Sequence, residues 1–134
     1  MQKIEHIGIA VKNLDEAEKR FGKLLNTLPY KRESVESEGV ITSFFKIGAS
    51  KIELLAPTHS DSPIQKFLNK KGEGMHHIAF EVANIDLQIK TLKEEGFILI
   101  NDQAKAGADN KQVAFIHPKS TGGILVEICQ EKKK

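Results

Sequence analysis

The chain has 134 residues, of which 40% are hydrophobic and 28% charged. That is ordinary usage for one folded domain, and it excludes a disordered chain. No apolar run approaches the ~18 residues of a membrane span, and the formal charge of +2 rests on Lys132, Lys133 and Lys134. No basic stripe with interleaved aromatics is present, so neither a nucleic-acid nor a membrane partner is expected.

The N-terminus MQKIEHIGIAV lacks the layout of a secretory signal or transit peptide and reads directly as a strand. Residues 4–11 alternate in character. Ile4, His6, Gly8 and Ala10 share one face, and Ile7, Ile9 and Val11 share the other. The oily second face suits packing against a helix. The first face sets His6 among small residues. Asn13 is a helix N-cap with Asp15 in the first turn, and Leu14, Ala17, Phe21, Leu24 and Leu25 recur at helical spacing. β-rich runs follow at 40–47 and 51–56. In the second of these, Glu53 faces away from Ile52 and Leu54. Ser62 and Pro63 open a short helix, whose backbone N–H groups could also receive an anion.

Gly72-Glu73-Gly74 forms a polar junction, after which the pattern returns. Ile4 to Asp15 aligns with Met75 to Asp86, matching His6 with His77 and Asn13 with Asn84. Met75, His77 and Ala79 share one face; Ile78, Phe80 and Val82 share the other. A helix with Ile85, Ile89, Leu92 and Lys93 runs to Gly96. β-rich runs at 97–100, 112–117 and 124–129 complete the half. Leu125-Val126-Glu127-Ile128-Cys129 resembles Lys51-Ile52-Glu53-Leu54-Leu55, and Glu127 again faces away from its oily neighbours. The lone Cys129, in this apolar run, fits a reducing compartment, and a cytoplasmic location is expected.

The reading is an α+β domain over residues 1–134, built as βαβββ twice, with modules 1–72 and 73–134 sharing a core. Each module places one histidine and one carboxylate opposite its oily face. If the modules pair about a pseudo-twofold, two imidazoles and two carboxylates meet in one cleft. That mixed donor set suits a divalent ion such as Co²⁺, Mn²⁺, Ni²⁺ or Zn²⁺. His76 has the opposite parity to His77 and reads as structural. His59 lies in a polar loop. His117, before Pro118, either lines the cleft or anchors its loop. Lys119 and Ser120, in the same turn, could meet a carboxylate or phosphate. Asn101 to Lys111 is a polar loop that could cover the site.

The segments IEHIGIAV (4–11), KIELLAP (51–57), DSPIQKFL (61–68), GEGMHHIAFEV (72–82) and FIHPKSTGGILVEI (115–128) resemble the vicinal oxygen chelate superfamily. Within it they are most similar to the methylmalonyl-CoA epimerases. The resemblance implies an open curved sheet around a metal cleft, commonly in a homodimer. It implies His6, Glu53, His77 and Glu127 as ligands, with Co²⁺ the leading metal and Mg²⁺ also in range. It implies a CoA thioester substrate, epimerised at C2 through an enolate.

The chemistry is consistent with that set. Charge developing on the thioester oxygen is stabilised by a cation, and inversion requires a base on each face of C2. Some family members carry a glutamate three residues after the glycine of Gly39-Val40; here Thr42 stands there. Glu127 is then one candidate base, with Glu38 or a bound water serving the other face. Thr42, Ser62, His117, Lys119 and Ser120 are the candidate substrate-binding residues. Rival readings on the same scaffold are a glyoxalase-like isomerase, a dioxygenase and a non-catalytic small-molecule-binding module. A dioxygenase ordinarily uses two histidines and one carboxylate on iron, and the second carboxylate argues against it.

Overall fold

A computed structural model describes residues 1–132; Lys133 and Lys134 of the basic tail lie outside the described residues. The chain divides into two compact units: Ile7–His76, and Met1–His6 together with His77 onward. The division runs through two strands, β1 (Lys3–Ala10) and β5 (Gly74–Glu81).

In the first unit, β1 leads to α1 (Leu14–Leu25). Asn13 caps it, its side-chain oxygen accepting from the Glu16 N–H at 3.0 Å, and Asp15 and Glu16 occupy the first turn as the helix dipole favours. β2 (Lys31–Val35), β3 (Val40–Ile47) and β4 (Ser50–Pro57) form an antiparallel set. α2 (Pro63–Lys71) follows, with Pro63 in its first turn and Ser62 as cap.

The oily face of β1 behaves as its alternation predicts. Val11 joins Leu14, Ala17, Phe45, Leu54 and Ala56 in a core with Ile9 at its margin. Ala10, on the other face, is not open. It is covered by Val40, Leu55, Ile64 and Leu68, because α2 lays its apolar side there.

The second unit holds the rest of β5, then α3 (Ile85–Glu94), β6 (Lys105–Gly107), β7 (Lys111–Ile116) and β8 (Val126–Glu131). β8 runs parallel to β5 and antiparallel to β7, and β6 pairs with β7. Asn84 caps α3 through the Leu87 N–H at 3.1 Å, the counterpart of Asn13. The core is Val82, Ile85, Ile89, Leu92, Ala114, Ile116 and Ile128. The start of the chain belongs here too, with the Gln2 N–H donating to the Glu81 carbonyl at 2.8 Å.

Three expectations are corrected. β2 was not apparent, because Lys-Arg-Glu-Ser-Val offers no apolar run. Residues 97–100 form only an isolated bridge, Leu99 to Ile116, rather than a strand. The polar segment from Asn101 to Lys111 is not all loop: it contains β6 and a tight turn in which Asp109 and Asn110 take the left-handed conformation that such residues tolerate. No helix among the described residues is long and apolar enough to cross a membrane.

Candidate metal centre

Three strands of the second unit deliver three donor atoms to one place. His6 comes from β1, His77 from β5 and Glu127 from β8, and all three are buried. His6 Nε2 stands 3.0 Å from His77 Nε2. Glu127 Oε1 lies 3.6 Å from the first and 3.3 Å from the second. The rings meet edge to face at 90°, and Phe115 stands edge-on to the His77 ring. The β5–β8 register explains the meeting. Ala79 pairs with Glu127 in the parallel ladder, which sets Glu127 on the His77 face two residues along.

This spacing fits a metal. An octahedral ion with bonds of about 2.1 Å places neighbouring donors about 3 Å apart, and a tetrahedral one about 3.4 Å. The donor chemistry fits as well, with two imidazoles and a carboxylate suiting borderline divalent ions.

Burial alone would raise the Glu127 carboxyl. Hydrogen bonds and positive charge from His6 and His77 outweigh it and hold the group at about 2. The group therefore stays an anion in an enclosed place, which is the state a ligand needs.

His6 has a second partner that the sequence reading missed. Its Nδ1 lies 2.9 Å from Glu5 Oε1, and Glu5 is only 1% exposed. Lys111, also buried, holds its Nζ 3.9 Å from Glu5 Oε2 and 3.1 Å from Glu131 Oε1. The signal for Glu5 was present. It shares parity with Ile7 and Ile9, and a carboxylate on an otherwise oily strand face requires a reason.

Glu53 lies on β4 in the first unit and is buried. Across the sheet its register partner is Phe44, and Phe44 pairs in turn with Lys31. Thr42 pairs with Leu55 on one side and Glu33 on the other. Directly opposed residues share a face, so Glu53, Thr42, Phe44, Leu55, Lys31 and Glu33 form one side of this unit. Lys31 lies over the Phe44 ring at 5.0 Å and reaches Glu33 at 3.3 Å. Glu33 was not singled out from sequence, because β2 was not recognised.

The remaining candidates fall into local roles. The fully buried Ser62 accepts from the Gln65 N–H at 3.1 Å as the cap of α2. Exposed His117 accepts at Nδ1 from the Lys119 N–H at 3.0 Å, the loop-anchoring arrangement. Ser120 Oγ accepts from the Ile98 N–H at 2.9 Å, and Lys119 is exposed. Glu38 ends the 3-10 turn Glu36–Glu38 and is half-buried. His76 stacks edge-on against Phe67 at 4.9 Å, the structural role its parity suggested. Cys129 is buried beside the Phe80 carbonyl.

The model of the Glyoxalase/Bleomycin resistance protein/Dioxygenase superfamily matches residues 5–115. The mitochondrial methylmalonyl-CoA epimerase of Bos taurus is 39% identical, over 96% of this chain and 74% of that protein. The ethylmalonyl-CoA/methylmalonyl-CoA epimerase of Cereibacter sphaeroides is 37% identical, over 96% of this chain and 97% of that protein. Among solved structures, a Streptomyces coelicolor methylmalonyl-CoA epimerase variant in complex with 2-nitronate-propionyl-CoA superposes with a TM-score of 0.94 at 34% identity. It covers 98% of this chain and 95% of that one.

Proposed function

Because the chain belongs to the glyoxalase/bleomycin resistance protein/dioxygenase superfamily and has its α+β vicinal oxygen chelate fold, we propose that it is a metal-dependent methylmalonyl-CoA epimerase. It interconverts the (R) and (S) epimers by moving the proton at C2. The observation that carries the reading is the convergence of His6, His77 and Glu127 within 3.0–3.6 Å in a buried place, in a chain this similar to named epimerases.

His6, Glu53, His77 and Glu127 are the proposed ligands. Each half of the internal repeat supplies one imidazole and one carboxylate. The mixed nitrogen and oxygen set suits Co²⁺, Mn²⁺, Ni²⁺, Zn²⁺ or Mg²⁺, and the family resemblance puts Co²⁺ first. When bound, the ion stabilises negative charge developing on the thioester oxygen.

The protein's own groups handle the proton. Glu127, once loosened from its role as a ligand, accepts it from one face of C2 at a carboxylate oxygen. The face served by a glutamate in some relatives has Thr42 here, which cannot act as a base at neutral pH. Two carboxylates of the same unit are candidates to replace it: Glu38, directly or through a water, and Glu33, directly across from Thr42. An enolate is supported by the ligand of the S. coelicolor relative, since a nitronate has the planar, charge-delocalised centre of an enolate.

Thr42, His117, Lys119, Ser120 and the N-terminus of α2 at Ser62 are the proposed contacts to the CoA thioester. Lys119 has the exposure and charge to meet a phosphate or carboxylate. One methylene in a pocket changes affinity by only ~1–3 kcal/mol, so ethylmalonyl-CoA belongs in the same test. We propose a single domain of modules 1–72 and 73–134 working as a homodimer, which the family resemblance supports, in the cytoplasm, which the lone buried Cys129 supports.

The test is solvent exchange. Metal-stripped and Co²⁺-loaded protein are incubated with one methylmalonyl-CoA epimer in D₂O. Metal-dependent deuterium at C2 together with the opposite epimer is the expected result. Neither label nor inversion with metal bound would overturn the reading and favour a glyoxalase-like isomerase or a binding module.

A further inference from the structure

The pair Glu5 and Lys111 has no part in the ligand set or in proton transfer, yet both side chains are almost wholly enclosed, at 1% and 3% exposure. Burying a carboxylate and an ammonium costs several kcal/mol per ion before any compensation. Well-packed apolar residues at both positions would give the same strands at lower cost. The compensation visible in the structure is directed at one imidazole. Glu5 Oε1 lies 2.9 Å from Nδ1 of His6, and Nε2 of the same ring faces His77 and Glu127. Lys111 approaches the other carboxylate oxygen of Glu5 at 3.9 Å, and it is tied at 3.1 Å to Glu131 at the end of β8.

We propose that Glu5, held by Lys111, is a positioning residue that fixes the ring and tautomer of His6 and presents its Nε2 to the metal. The inference rests on the proposed metal reading. A carboxylate accepting from Nδ1–H leaves the lone pair on Nε2, sets the ring plane and strengthens the imidazole as a donor. Lys111 approaches Glu5 from the side away from the ring, 3.9 Å from its other carboxylate oxygen, and so holds the carboxyl group in place. The internal repeat aligns Glu5 with His76, and His76 stacks on Phe67.

The experiment is a Co²⁺ titration of the metal-stripped full chain, read by the visible absorption of bound Co²⁺ and by competition with a chelator. Glu5→Ala, Glu5→Gln, Lys111→Met and His6→Ala are compared with the parent, and the thermal midpoint of each metal-free protein is recorded. Glu5→Ala is expected to weaken Co²⁺ by about 10–100-fold and to change the absorption band. Glu5→Gln keeps an acceptor for Nδ1–H and restores most of that loss. Lys111→Met shows a smaller loss of the same kind.

Parent affinity and an unchanged band in Glu5→Ala, with His6→Ala still abolishing binding, would overturn the positioning role alone. Parent affinity in His6→Ala would overturn the metal reading and this inference with it. If Glu5→Ala does not fold, Glu5→Met, which removes the acceptor at similar volume, and Lys111→Met carry the test. Parent affinity and band in both would overturn the proposal.

Discussion

Gly39 is the residue at which one added methyl group should be most costly. It ends the 3-10 turn before β3 with φ of +61°, a conformation that costs other residues about 1–2 kcal/mol. A Cβ built there would sit 2.7 Å from His59 Nε2 and 2.6 Å from Ser62 Cβ. The two contacts differ in kind. His59 is exposed and its ring swings away cheaply. Ser62 is fully buried and its hydroxyl caps α2, so displacing it strains the core by about 1–3 kcal/mol. The sum for Gly39→Ala is about 2–5 kcal/mol.

Urea unfolding of the metal-free protein reads this as a lowered midpoint at constant slope. A double-mutant cycle isolates the cause, because Ser62→Gly removes the obstructing Cβ yet costs a cap only a few tenths of a kcal/mol. In that background Gly39→Ala should fall to the backbone cost of about 1–2 kcal/mol. Strict additivity of the two changes, or a single-mutant loss under about 1 kcal/mol, would refute the reasoning. The catalytic consequence follows from chain connection: Gly39 leads directly into β3, three residues before Thr42.

Asn84→Ala removes the acceptor for the Leu87 N–H and should cost about 1 kcal/mol in urea unfolding; no loss would mean that water or Gln130, which accepts from the Ile85 N–H, suffices. Glu18 is held below its ordinary value first by the hydrogen bond from Arg32, with burial opposing and Ser43 assisting. A depressed carboxyl contributes stability above its unfolded value of 4.5 and loses it as pH falls below. Glu18→Gln should therefore lower stability by up to about 1 kcal/mol at pH 7, and the gap should close as pH falls below 4.5; a gap constant with pH would sink the assignment. For the second base, Glu33→Gln and Glu38→Gln are assayed separately in D₂O. The carboxylate in use should leave, when removed, deuterium uptake without inversion from one epimer. Undiminished inversion in both would leave a bound water, or Thr42 acting through one, as the proton carrier.

The parts legible in the sequence were those set by periodicity and short-range chemistry. Asn13 and Asn84 announced both long helices because their caps are local. Ser62-Pro63 announced α2 for the same reason. The parity of His6, His77 and Glu127 set the face that each takes in its strand, and the β5–β8 register, which no short stretch of sequence carries, brings His77 and Glu127 together. What escaped depended on partners distant in sequence. β2 carries three charged residues in five, as sheet edges often do to discourage pairing between chains, and its strand character comes from β3 rather than from itself. β6 is three residues inside a polar stretch and exists only through β7. Residues 97–100 look β-rich but make a single bridge, because Ile98 and Ile100 stay half exposed and find no ladder. Lys111 carries no local signal of its burial, which depends on its approach to Glu5 and Glu131, whereas Glu5 did carry one in its parity with Ile7 and Ile9.

The repeat accounts for the pairing within the proposed ligand set. Duplicating one module gives paired histidines and paired carboxylates without further selection for their positions, since strand parity is inherited with the strand. The neighbours of those ligands are not bound by the same constraint. Glu5 backs His6 with a charged acceptor, whereas its repeat partner His76 stacks on an aromatic ring. Phe115 lies against His77. Epimerisation asks for such inequality: the two faces of C2 must meet different groups, one removing a proton as another stands ready to return it. Glu33, on the face of Thr42 and beside Lys31, and Glu38, at the turn before β3, are where the second proton path is to be sought.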